Sequence, residues 1–115
     1  MKKYIILSVL LLSGMLFANE GKPKLEAAVN NTVIATYYHD NGQVQQTGAF
    51  KDGKLHGEWV SYDENGKKIA MATYVNGQKA GKWFIWNEGT LNEVDYANNK
   101  IVAVKNWKKD DLANN

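Results

Sequence analysis

The side chains best suited to chemistry in this sequence are two histidines, His39 and His56, and the carboxylates near them; the chain has no cysteine and no arginine. His56 is flanked by Asp52 and Glu58, and an imidazole near two carboxylates is raw material for general acid–base catalysis. Two observations work against that reading. Asp52 precedes Gly53, and Asp-Gly is a turn signal in its own right. Moreover, the residues 24 positions on from His39 and His56 are Asp63 and Ala80, so neither imidazole recurs where its surroundings do. A histidine beside a turn then reads as a solvated spacer. Asp40, Asp63 and Glu64 offer oxygen ligands, but without the dense alternation that a calcium loop requires. The residues therefore point to no catalytic set, no metal site and no cofactor, and the expectation is a protein that is not an enzyme.

What does recur is a framework of rings and glycines. Tyr38 and Tyr62, Gly42 and Gly66, Phe50 and Tyr74, Gly53 and Gly77, Gly57 and Gly81, and Trp59 and Trp83 are each 24 residues apart. A third, worn copy follows in Trp86, Gly89, Leu91, Tyr96, Asn99 and Trp107, with one residue lost before Gly89 and another before Tyr96. Degraded terminal copies are expected where a repeat array has to be capped.

The elements that must position these residues are β-hairpins. "HDNGQ" at His39 to Gln43 and "DENGK" at Asp63 to Lys67 place Asn-Gly where two residues of positive φ are wanted. Asp52-Gly53 and Asn76-Gly77 repeat the device at the opposite end of each strand. Between turns lie segments of about 7 or 8 residues rich in β-branched and aromatic side chains, the composition of half-buried strands. Ahead of the first copy, Leu25, Ala27 and Val29 alternate up to Asn30-Asn31, and Val33, Ala35 and Tyr37 alternate away from it. That pattern predicts one more hairpin at the edge.

Alternation also sorts the faces, because residues two apart share a side of a sheet. Gln46, Gly48 and Phe50 fall on one side of the first copy, Ala70, Ala72 and Tyr74 on the same side of the second, and Asn92, Val94 and Tyr96 follow in the third. The small residue two before each ring leaves room for a ring or Trp of the neighbouring copy. A lone hairpin is marginal, so each copy has to present a matching surface to the next. In "KWFIW", Trp83 and Ile85 must point to one side and Phe84 and Trp86 to the other. A single layer cannot hide both pairs without help: either Phe84 and Trp86 form an exposed binding patch, or the sheet rolls or the N-terminal segment folds over it and both pairs are buried.

The N-terminus has a different character. Lys2 and Lys3 precede an apolar run from Ile5 to Phe17, and Ala18 is a suitable last residue before cleavage; this is the pattern of a secretory signal peptide. The run falls short of the roughly 20 apolar residues of a transmembrane helix. Residues 1–18 are thus predicted to be a signal peptide, 19–31 an N-terminal segment and first hairpin, 32–107 the repeat domain and 108–115 a polar tail. With 14 Lys against 12 acids in the whole chain, removing Lys2 and Lys3 leaves 12 against 12. A near-neutral chain without arginine lacks the basic footprint of nucleic-acid binding. No cysteine is present to carry a lipid anchor.

"YYHDNGQVQQTGAFKDGKLHGEW" and "SYDENGKKIAMATYVNGQKAGKW" resemble the MORN-type repeat in its variant form, as in YwqK-family proteins labelled antitoxins. The units share Tyr-x-x-Asn-Gly, then Gly-x-aromatic, Asn-Gly and Gly-x-Trp, and this chain departs from them at Ala72, where Gly is usual. The resemblance implies an all-β, meandering antiparallel sheet used for binding or assembly, with no shared catalytic residues. Together with the leader it sets the functional expectation: an exported module, periplasmic or secreted, that binds a protein or cell-envelope component through an aromatic sheet face. Exposed sheet edges would allow oligomers, and no membrane span would remain after cleavage. An antitoxin or immunity-like role of the YwqK type is the alternative. A nicotinate-mononucleotide adenylyltransferase would need a His-x-Gly-His signature on a nucleotide-binding α/β domain; "LHGEW" offers one His and one Gly, with no helix following.

Overall fold

The computed structural model describes residues 22–108. The predicted signal peptide lies outside them, as does the tail beyond Lys108. Nine strands make one antiparallel sheet: β1 Lys24–Ala27, β2 Thr32–Tyr38, β3 Val44–Lys51, β4 Lys54–Tyr62, β5 Lys68–Val75, β6 Gln78–Lys79, β7 Gly81–Asn87, β8 Thr90–Ala97 and β9 Lys100–Lys108. Neighbours in sequence are neighbours in space, in the order β1-β2-β3-β4-β5-β7-β8-β9, with the short β6 also paired to β5. β6 and β7 are one line of chain interrupted at Ala80. The meander is the all-β architecture that the sequence predicts, and no helix occurs among the described residues.

Two kinds of turn alternate along the two margins of the sheet. On one margin, Asn30-Asn31, Asp52-Gly53, Asn76-Gly77 and Asn98-Asn99 have positive φ at both positions, the conformation that suits the right-handed twist of a tight hairpin. The other margin differs from the expectation. In His39 to Gln43 and Asp63 to Lys67 only the glycines are left-handed, Gly42 at φ 88° and Gly66 at φ 84°. Gly42 N–H donates to His39 O at 2.9 Å and Gly66 N–H to Asp63 O at 3.0 Å, which closes a four-residue turn followed by a bulge on glycine. The side chains explain the choice. Asp63 Oδ1 accepts from both Asn65 N–H and Lys67 N–H at 2.9 Å, and Asn41 Oδ1 accepts from Gln43 N–H at 2.9 Å, so local side-chain bonds hold the wider loop.

The core lies on one face of the sheet. Ala35, Trp59, Ala70, Ala72, Tyr74, Trp83, Ile85, Val94 and Tyr96 are buried there, joined by Phe50, Leu55, Ile101 and Val104 at its margin. A Cβ at Gly48 would overlap the Trp59 indole, so the small residue makes room for the Trp on the adjacent strand β4. Phe50 meets Trp59 and Tyr74 meets Trp83 edge-on, each with centroids 5.1 Å apart. The packing between copies is carried by Trp83 against Tyr96, also at 5.1 Å, and by Trp59 opposite Ala72. Each indole N–H is satisfied in the same way: Trp59 Nε1 donates to Ala49 O at 3.0 Å and Trp83 Nε1 to Thr73 O at 2.9 Å. Trp107, expected as the third anchor, does not join them. Val104 stands opposite Val94 on the core face, and Trp107, three residues on, falls on the other side.

Candidate binding face

Neither histidine is a solvated spacer. His39 Nε2 donates to Tyr62 O at 2.9 Å, 23 residues away, and Asn41 Nδ2 donates to Glu64 O at 2.8 Å beside it. On the opposite margin, His56 Nδ1 accepts from Asn76 N–H at 3.2 Å, and Asn99 Oδ1 accepts from Lys79 N–H at 3.1 Å. The imidazoles therefore staple one copy's turn to the next, each committing one ring nitrogen to backbone. Among the described residues, no three His, Asp or Glu side chains gather as metal ligands.

The face opposite the core is where the sheet has no second layer. Counting outward from the buried residues, β4 places Val60 and Tyr62 there, β5 Ile69 and Met71, β7 Phe84 and Trp86, β8 Leu91 and Glu93, and β9 Lys105 and Trp107. The "KWFIW" pairs separate as expected: Trp83 is 0% and Ile85 9% exposed on the core side, while Phe84 and Trp86 are half-buried on the other. Their rings stack at 6.0 Å with 26° between planes.

Lys82, Glu93, Asp95 and Lys105 gather at one corner of this face. Lys82 Nζ reaches Glu93 Oε2 at 2.7 Å and Asp95 Oδ1 at 3.0 Å. The bond from Lys82 holds the Glu93 carboxyl below the usual carboxylate range, and Glu93 followed by Asp95 raises the Lys82 ammonium. Glu93 also accepts from Trp107 Nε1 at 3.3 Å, and Lys105 Nζ sits 4.5 Å above the Trp107 ring. Lys82 thus ties Glu93 and Asp95 together across β7 and β8, an arrangement that positions side chains. On the core face, burial and then Tyr74 push the Tyr96 phenol up to about 12. Burial lowers the ammonium of Lys79, which lies 5.5 Å from the ring centroids of Trp83 and Tyr96.

With the geometry in view, the comparison with protein families falls into register. A family model matches residues 32–52 and 55–76, the β2–β3 hairpin and the β4–β5 hairpin, each centred on its Asn-Gly turn. Both stretches are MORN repeat variants. No curated protein matches the chain. The MORN units end at the Asp52-Gly53 and Asn76-Gly77 turns, so the structural unit is one hairpin and its partner tryptophan arrives from the next. The worn third copy lies beyond the matched residues, yet β7 and β8 pair in an unbroken register from Gly81↔Tyr96 to Asn87↔Thr90 and extend the same sheet. MORN repeats are generally non-catalytic, and a repeat-based binding module is the role they suggest.

Proposed function

We propose that this chain is an exported binding module whose MORN sheet presents its coreless face to a component of the cell envelope or to an exported protein. The observation that carries the reading is the position of Phe84 and Trp86: two large rings stacked together on a face that nothing in residues 22–108 covers. Rings that served only stability would sit where Trp59 and Trp83 do. Contiguous apolar surface on one side of a small sheet marks an interaction site. Export is supported by Lys2, Lys3 and the apolar run Ile5 to Phe17 ahead of the sheet.

The test has two parts. Expressed in a bacterium with an outer membrane, the protein is expected in the periplasmic fraction with its N-terminus near Asn19; an uncleaved cytoplasmic product would remove the export half. Tagged protein carrying Phe84→Ala and Trp86→Ala should lose a binding partner that the parent retains from envelope extract. An unchanged set of retained components would remove the binding-face half.

A further inference from the structure

The repeat does something on the coreless face that its structural anchors do not require. Tyr38, Tyr62 and Trp86 are 24 residues apart; Tyr38 ends β2, Tyr62 ends β4 and Trp86 is the last but one residue of β7, all on that face. Tyr38 and Tyr62 face matching register shifts, opposite Val44 and Lys68 respectively. Trp86 lies opposite Leu91, and Leu91 opposite Trp107 on β9. Four rings therefore form one line across the sheet, each two strands from the last. At about 4.7–4.9 Å per strand the step between rings is close to 10 Å.

We infer that this line binds an uncharged, linear β-1,4-linked glycan, with Tyr38, Tyr62, Trp86 and Trp107 stacking on every second sugar. The inference rests on the binding-module reading and names its ligand. In a β-1,4 chain of equatorially substituted pyranoses, successive rings are turned over, so alternate sugars offer the same face, and that disaccharide repeat matches the step between the rings. Each such sugar has C–H bonds over its two faces and hydroxyls around its rim. The faces suit the electron-rich surface of an aromatic ring, and the rim needs hydrogen-bonding groups beside it.

Such groups are present at the Tyr38 and Tyr62 end of the line. A hollow of about 330 Å³ next to Tyr62 is lined by Thr36, Gln43, Val44, Thr47 and Gly66, and another of about 350 Å³ next to Tyr38 is lined by His39, Asp40, Asn41, Gln45 and Glu64. Charge complementarity selects an uncharged polymer. The line of Tyr38, Tyr62, Ile69, Trp86, Leu91 and Trp107 contains no formal charge at neutral pH. The charged groups beside the line are of both signs, Lys68 opposite Tyr62 and Asp40 and Glu64 near Tyr38, and Lys82 and Lys105 are held by Glu93 and Asp95 and over Trp107, so neither an acidic nor a basic chain is favoured there. A protein contact would favour rings clustered into one patch, whereas the four rings of this line are spaced two strands apart.

Titration of the purified protein with cellohexaose, followed by calorimetry, tests the assignment, with maltohexaose as the control whose α-1,4 linkages curve the chain. Cellohexaose is expected to bind and maltohexaose not. Trp86→Ala and Trp107→Ala should each weaken binding at least tenfold while unfolding close to the parent's midpoint. No binding of cellohexaose, equal binding of maltohexaose, or affinity unmoved by both substitutions would overturn the glycan. If in addition the Trp86→Ala protein still fails to retain a partner that the parent takes from envelope extract, only the ligand class falls; if retention is also unchanged, the binding-face reading falls with it.

Discussion

Trp83 is the residue on which the packing converges: it is fully buried, meets Tyr74 and Tyr96, and spends its N–H on Thr73. Trp83→Ala should cost about 3 to 5 kcal/mol, a large share of the stability of a domain this size, read as a shifted urea midpoint; Trp107→Ala, on the other face, should move that midpoint far less. Gly48→Ala should destabilise by overpacking, about 1 to 3 kcal/mol, because the added methyl meets the Trp59 indole. Tyr96 gives a pH signature. Its folded-state pKa is raised from 10.0 to about 12, so the native state keeps a proton that the unfolded state loses. Its contribution is complete below about pH 10 and is lost as pH rises toward 12. Unfolding midpoints measured across that window should fall for the parent and fall less steeply for Tyr96→Phe. The buried set was legible in sequence wherever alternation was unbroken: Gln46, Gly48 and Phe50 share the core face with Ala70, Ala72 and Tyr74 as expected. Trp107 was not. Recurrence of residue type suggested a third anchor, but the β9 register puts Val104 on the core side and Trp107 opposite.

At the scale of elements, the hairpins themselves were plain from Asn-Gly, Asp-Gly and Asn-Asn between alternating segments. Their two turn classes were not, because Asn-Gly serves both the tight turn with two left-handed residues and the wider one with a single left-handed glycine. The deciding signal was a capping side chain: Asp63, two residues before Asn65, caps two backbone N–H groups, and Asn41 caps Gln43 N–H in the other wide turn. Gly66→Ala is expected to cost about 1 to 2 kcal/mol, the penalty for placing a side chain in the left-handed region, whereas Asn65→Gly should cost less; thermal melts of the two variants check the order. The staples from one copy's turn to the next were also hidden. His39 to Tyr62 and His56 to Asn76 are long-range bonds that become visible only when the strands are stacked. The register between β3 and β4 slips between Thr47 and Ala49, beside Gly57 at φ 76°, and nothing in the local residue pattern marks how far.

For the whole molecule, the decisive property is that one layer of strands buries its tryptophans on one side only. The repeat sets both sides at once: rings at Trp59 and Trp83 close the core, and rings at Tyr38, Tyr62 and Trp86 line the face left open. The sequence made the meander and the division of "KWFIW" readable. Alternation does not show how deeply each ring lies, since that depends on neighbouring strands. Iodide quenching of four variants, each retaining one of Trp59, Trp83, Trp86 or Trp107 with the others changed to Phe, measures that division directly. We expect Trp59 and Trp83 to be shielded and Trp86 and Trp107 to be quenched; four equally shielded indoles, or a quenched Trp83, would contradict a sheet with one closed and one open face.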